Sequence, residues 1–291
     1  MRHVRLLLAG ILGTSMISVI STTGAVAHAA STPSLTTCKT LINTQEYAKG
    51  TLTVATDSPG YTPWFVNNKP SNGQGYESAV VYAIAAKLGV TRKNVKWVVE
   101  PFDSSYVPGH KKFDFDINEI SYTADRAKAV TFSVSYYNVN QSIVSLKTNP
   151  IVTKHTPAEL KTYLYGDQIG TTGLAFINSF IKPTRSPRVY STLADAVLAL
   201  QTKQIDAIII DTPSGQYMAT AQVVNAKQQP IGDQVGQFPS VGEHYGLLFQ
   251  KGNPLATCVN VAINAITASG QLKALQTKWL GIYNHVPTLK P

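Results

Sequence analysis

Residues 52–99 read in order as strand, loop, helix and strand, and this alternation restricts the fold more than any other feature of the chain. Leu52-Thr53-Val54-Ala55-Thr56 alternates like a strand. The loop from Asp57 to Gly75 is dense in Pro, Gly and Asn and carries Tyr61, Trp64 and Phe65. Helical spacing runs from Tyr76 to Leu88, with Gly89 suited to the C-cap. Val95-Lys96-Trp97-Val98-Val99 completes a β-α-β unit, which implies parallel strands and a right-handed crossover. The pattern returns at Asp167-Gln168-Ile169, followed by Gly170-Thr171-Thr172-Gly173 and a helical stretch from Leu174 to Ile181. Ser191 opens a helix running to Thr202. Ala207-Ile208-Ile209-Ile210 is wholly apolar, as expected of a strand covered on both faces. Tyr245–Phe249 reads as a further strand, and Val259–Ala268 and Leu272–Leu280 as two closing helices. Two α/β units with a helical C-terminus are the expected architecture.

The first 29 residues stand apart. Arg2 and Arg5 precede a mostly apolar run from Leu6 to Ile20, and Ala27-His28-Ala29 offers small residues to a cleavage site. The run is too short and interrupted for a membrane span, so it reads as a signal peptide and the protein as exported. About 260 residues remain, near the size at which one core divides into two. Residues 30–49 are polar and Ser/Thr-rich and read as a leader or short cap. The formal charge is +9, or +7 without Arg2 and Arg5. The positive residues are scattered, with Lys111-Lys112 the densest pair and no basic run interleaved with aromatics, so no nucleic-acid partner is expected. Cys38 and Cys258 are the two cysteines; in an exported chain they suggest one disulfide, worth on the order of 4 kcal/mol by loop entropy.

Open α/β sheets bind ligands at the carboxyl ends of their strands, and four features collect there. They are Asp57 with its aromatic loop, Glu119–Arg126, the Gly170–Gly173 turn that holds Thr171 and Thr172, and Asp211. Arg126 can grip a carboxylate through two parallel hydrogen bonds, and the Gly170–Gly173 turn can add backbone N–H groups and a helix N-terminus. Asp211 can accept from an ammonium group, while Tyr61 and Phe102 can wall the apolar part of a ligand. Asp211-Thr212-Pro213 also fits a helix N-cap followed by first-turn proline, a purely structural role. Catalytic patterns are absent: there is no G-x-S-x-G, no phosphate-binding G-x-x-x-x-G-K-[ST] and no H-E-x-x-H, so neither metal nor cofactor is expected. Asp114, Asp116 and Glu119 interleave with Phe113, Phe115 and Ile117; a strand there predicts a solvated acidic face or a ligand-facing edge rather than a metal cage.

Phe115–Ser133, followed by Tyr136-Tyr137, resembles the D…I-T-x-x-R-x-x-x-V-x-F-S-x-x-Y-Y stretch of the family 3 extracellular solute-binding proteins, the polar amino-acid-binding proteins of ABC transporters. The likeness extends through Gly170–Gly173, Ile205-Asp206-Ala207 with Asp211-Thr212-Pro213, Tyr245-Gly246, Lys251-Gly252-Asn253-Pro254-Leu255, and Gly270-Gln271-Leu272 with Lys278-Trp279-Leu280-Gly281. It implies a two-lobed α/β fold of the type II periplasmic-binding-protein kind, each lobe a mostly parallel sheet flanked by helices. Lobe 1 takes residues 50–138 and 243–291, lobe 2 takes 139–242, and the hinge lies near Tyr136–Asn140 and Val241–Tyr245. By the same resemblance Arg126 and Asp211 grip the α-carboxylate and α-ammonium of an amino acid, with Ser121 and Thr172 assisting. Asp57, Tyr61, Phe102, Glu119 and Gln168 occupy positions that contact the side chain or cover it. The implied partner is a membrane permease, the implied state a monomer without catalysis, and the implied location a periplasm or the cell envelope.

Two residues depart from the family's pattern. Glu119 stands where a small or neutral residue is common, and Ile210 precedes Asp211 where a polar residue can help read the ligand. A buried Glu119 carboxylate needs a partner, which points to a ligand with a cationic or amide side chain. Two alternatives share the fold: an exported lyase resembling cyclohexadienyl or arogenate dehydratase, and a ligand-sensing module docking to a membrane receptor.

Overall fold

The helix Tyr76–Lys87 carries the chain from β1 (Leu52–Thr56) to β2 (Val95–Val99), and the strands pair in parallel with Val54 opposite Trp97. Eight more strands follow in a computed structural model that describes residues 32–239, 242–283 and 285–289: β3 (Phe115–Asp116), β4 (Val130–Asn138), β5 (Gln141–Leu146), β6 (Gly166–Gln168), β7 (Arg188–Tyr190), β8 (Ala207–Asp211), β9 (Gly232–Phe238) and β10 (His244–Gln250). The signal peptide expected at residues 1–29 lies outside the described residues. One sheet has the order β2-β1-β3-β10-β4, and a second has the order β8-β5-β9. The parallel pair β6-β7 adjoins β8 through a parallel bridge between Tyr165 and Ala207. The sheets are mixed rather than mostly parallel as expected: in the first, β1 pairs in parallel with β2 and β3 while β10 runs antiparallel to β3 and β4, and in the second β5 runs antiparallel to both β8 and β9. β10 and β5 enter straight from the other sheet instead of through a crossover helix. The crossings lie side by side, with Val139 N donating to Glu243 O at 3.0 Å.

Full burial explains the apolar strand runs. All six residues of β5 are buried, and successive residues serve opposite cores. Ile143 packs with Ile209, Tyr165 and Phe238 on one face; Val144 packs with Ile208, Leu200 and Met218 on the other. The first sheet's main core gathers Val54, Trp64, Ile84, Leu247 and Val259.

Two expectations change on folding. The polar leader contains a helix, Leu35–Gln45, started by Ser34, whose hydroxyl accepts from Thr37 N at 3.1 Å. Only Cys38 and Ile42 are buried, one turn apart, so the helix has too narrow an apolar stripe to stand out in sequence. Cys38 bonds Cys258 of the helix Leu255–Ala268, the expected disulfide. The acidic face expected around residues 113–117 is not solvated: Asp114 and Asp116 are both fully buried. Both residues of β3 are buried between β1 and β10, and Asp114, just before it, accepts from Thr53 N at 2.6 Å and Tyr47 N at 2.5 Å.

The chain's last described segment makes another crossing. Beyond the helix Gln271–Leu280, which packs on the first core, residues 285–289 run along the edge of β9. Gln237 N donates to Pro287 O and Leu289 N to Gln237 O, both at 2.8 Å. Leu289 is buried in the second core, and a Cβ at Gly236 would stand 2.5 Å from its side chain.

Candidate functional site

A cavity of about 500 Å³ opens where the carboxyl ends of β1, β2, β3, β6, β7 and β8 converge. Asp57 and Tyr61 come from the loop after β1, and Phe102 and Asp103 from the turn after β2. Asn118 and Glu119 follow β3. Asp167 and Gln168 end β6, Ser191 and Thr192 follow β7, and Asp211 ends β8. Asp57 ties two of these loops together, since its carboxylate accepts from Ser58 N at 2.6 Å and Phe102 N at 3.4 Å.

Arg126 is buried and spans the two sets of strands. Its Nη1 donates to Ser121 O at 2.7 Å and its Nη2 to Gly170 O at 2.8 Å. The guanidinium also lies over the Phe102 and Tyr106 rings, 5.4 and 4.8 Å from their centroids, a cation–π arrangement that restrains its plane. Gly170 sits at φ 77°, and a Cβ there would meet the Tyr106 hydroxyl at 2.3 Å, so this turn requires glycine. Thr171 caps the following helix, accepting from Leu174 N at 3.1 Å and donating to Gln168 O at 2.9 Å. Its hydroxyl is therefore engaged with backbone.

Asp211 does not cap the helix Thr212–Tyr217 that it precedes. Its carboxyl accepts instead from Gln141 Nε2 at 2.7 Å and from the Tyr245 hydroxyl. Gln141 Nε2 also reaches Glu243 Oε2 at 3.1 Å and lies 3.4 Å from Thr172 Oγ1. Burial, reinforced by the nearby Glu243 charge, pushes the Asp211 pKa up to about 8. Burial also holds Glu119 and Asp167 well above the usual carboxylate range, with the Glu77 charge adding to the effect on Glu119. Behind Glu119, fully buried Glu77 is raised to about 7. Five carboxyl groups line the cavity (Asp57, Asp103, Glu119, Asp167 and Asp211) against the single cation Arg126.

Of the residues singled out in sequence, Asp57, Tyr61, Phe102, Glu119, Arg126, Gln168, Thr171, Thr172 and Asp211 all line this cavity. Ser121 lies behind it, its hydroxyl donating to Glu243 Oε1 at 2.6 Å and its carbonyl holding Arg126. Gln141 is not among the site residues that the sequence suggests. Gln141 opens the first strand after the crossing, a position with no local signature. Asp167 is not among them either, although its place at the end of a strand marks it as a candidate. Gln141 Oε1 and Asp167 Oδ2 are buried and have no hydrogen-bond partner among the described residues. Among the described residues no three His, Cys, Asp or Glu side chains gather as a metal site.

Comparison with known proteins places the fold and the family. The arginine-binding periplasmic protein of Mannheimia haemolytica is 25% identical over 225 residues, covering 77% of this chain and 89% of that protein. A probable histidine-binding protein of Campylobacter jejuni is 28% identical over 222 residues, covering 73% and 78%. The crystal structure of the ancestral amino acid-binding protein AncCDT-1, a precursor of cyclohexadienyl dehydratase, superposes with a TM-score of 0.65 at 26% identity, covering 84% of this chain and 98% of that one. Residues 52–282 match the bacterial extracellular solute-binding proteins, family 3, and the chain belongs to that family.

Proposed function

We propose that the protein captures an amino acid with a cationic side chain and delivers it to the permease of an ABC transporter. The carrying observation is the charge imbalance of the cavity, five carboxyl groups against one guanidinium. Asp103 is exposed, but burial desolvates Glu119, Asp167 and Asp211, and a low-dielectric site cannot hold these like charges ionised without cations. A ligand bearing one carboxylate and two positive groups supplies what is missing. Arg126 takes the carboxylate, Asp211 with Thr172 takes the α-ammonium, and Glu119 and Asp57 face the cationic side chain. The buried acceptors Gln141 Oε1 and Asp167 Oδ2 suit a donor-rich ligand of this kind. The names of the arginine- and histidine-binding relatives point the same way.

In this reading residues 50–138 and 243–283 form one lobe, and 139–242 with the tail 285–289 docked on β9 form the other, so the 243–291 expected for the first lobe is shortened at its end. They close over the ligand about the paired crossings next to β4 and β10. The protein works outside the cytoplasmic membrane after removal of residues 1–29. Calorimetric titration of refolded, ligand-stripped protein against arginine, lysine, ornithine, histidine, citrulline, glutamine and glutamate tests the assignment. Stoichiometric heat with cationic ligands, abolished by Arg126→Ala and weakened by Glu119→Gln, is expected. Preference for glutamate, or a Glu119→Gln protein that binds every ligand as the parent does, refutes it. A second reading has its own support: Glu119, whose pKa burial raises well above the usual carboxylate range, lines the cavity where an elimination would need a proton donor, and AncCDT-1 is described as a dehydratase precursor. Turnover of prephenate or arogenate by the purified protein would establish that reading.

A further inference from the structure

We propose that Ser214, which does not line the cavity, is the positioning residue that presents one chosen oxygen of Glu119 to the ligand. This rests on Glu119 contacting a cationic side chain, and Glu119 is held in an unusual way. The Glu119 backbone lies in the left-handed region at φ 53°, which favours glycine, and its N–H donates to Glu77 Oε1 at 2.7 Å. That same Glu77 oxygen accepts from the Tyr136 hydroxyl. A glutamate kept in a conformation suited to glycine places its side chain with a definite aim, but leaves open which carboxyl oxygen faces the cavity.

Ser214 settles that choice. Its hydroxyl donates to Glu119 Oε2 at 2.6 Å and accepts from Trp64 Nε1 at 2.7 Å. An indole nitrogen only donates, so the Ser214 proton cannot point back at Trp64 and is committed to Glu119. Oε2 is thereby fixed as an acceptor, and Oε1 is the oxygen left to carry a proton or to meet a cation. Trp64 is fully buried, with the rings of Tyr137 and Tyr245 at 5.4 and 5.5 Å, so the relay starts from an immobile donor. Ser214 lies one helical turn beyond Asp211, on the opposite side of the cleft from Trp64 and Glu119. The ionisable groups around Glu119 are Glu77, Asp211, Tyr61, Tyr136, Tyr137 and Tyr245. None of these is a cation that could orient it in place of the serine.

The test is a double-mutant cycle with arginine as the probe, titrated into ligand-stripped wild type, Ser214→Ala, Glu119→Ala and the double variant. Ser214→Ala is expected to weaken arginine about tenfold in the parent and to have no further effect once Glu119 is alanine, while Ser214→Thr restores binding. A serine with a merely structural role gives additive losses, and that result overturns the proposal. A second measurement needs no ligand. Of the three tryptophan indole N–H resonances, that of Trp64 should move on both Ser214→Ala and Glu119→Ala, while Trp97, which donates to Tyr82, and Trp279 stay. A Trp64 resonance untouched by Glu119→Ala also overturns the relay. If no cationic amino acid binds the parent protein, the functional reading fails and the indole experiment alone decides the relay.

Discussion

Capture of a cationic amino acid should release protons, and Asp211 sets the scale. Its pKa of about 8 in the closed cavity arises from burial and the neighbouring Glu243 charge. At about pH 7 such a group is roughly nine-tenths protonated, whereas an ammonium bound against it requires the carboxylate. Binding near pH 7 should therefore release about one proton from Asp211. The sign follows directly: the ligand binds the ionised form, whose population rises with pH until the pKa is passed. Affinity should climb roughly fiftyfold between about pH 6 and pH 8, or about 2.3 kcal/mol, and flatten above that. Calorimetry in two buffers of equal pH but different ionisation enthalpy counts the protons, and a pH series of titrations gives the slope. Asp211→Asn should bind weakly and lose most of the slope. An affinity that stays flat from about pH 6 to pH 8, or a proton uptake, would refute the reasoning, because it would mean that the buried acids do not exchange their protons for the ligand's charge.

Four further outcomes follow from the same structure. The raised pKa values of Asp211 (about 8) and Glu77 (about 7) mean that the fold retains protons the unfolded chain loses near pH 4. The ligand-free protein should accordingly melt at progressively lower temperature as pH rises from about 4 toward 8, and scanning calorimetry with saturating ligand should show a weaker trend. Arg126→Lys cannot keep the paired bonds to Ser121 O and Gly170 O and still fork to a carboxylate; titration should show a loss of about 2 kcal/mol, roughly thirtyfold. Replacing Cys38 and Cys258 by serine should cost roughly 4 kcal/mol and lower the melting temperature by roughly 10 °C, with ligand affinity unchanged because neither residue lines the cavity. Leu289→Ala should cost about 2–3 kcal/mol in urea unfolding, since Leu289 is buried in the second core; a loss below about 0.5 kcal/mol would mean the tail does not dock.

What the sequence disclosed and what it hid divide along one physical line. Features set by a residue's own strand or turn were readable. The run Ala207–Ile210 is apolar because cores lie on both faces of β8, and Asp57, Glu119 and Asp211 stand out because strand ends converge on one cleft. Features set by a distant partner were not readable. Asp211-Thr212-Pro213 looks equally like a helix cap until Gln141 and Tyr245 are seen to claim the carboxyl. Gln141 and Glu243 matter because two crossings lie side by side, and Ser214 matters through Trp64, 150 positions away in the chain. Overall charge misleads in the same way. The chain without Arg2 and Arg5 carries +7, yet its cavity gathers five carboxyl groups around one guanidinium. At physiological salt the scattered surface charges are screened beyond about 8 Å, so they neither draw a cationic ligand in nor keep it out. Selection must therefore occur inside the cleft, where the groups are desolvated and each unpaired charge is costly. Charge reversals confined to the exposed lysines should leave affinity within about twofold, whereas neutralising Asp211 should weaken every amino acid and neutralising Glu119 should change which ligand binds.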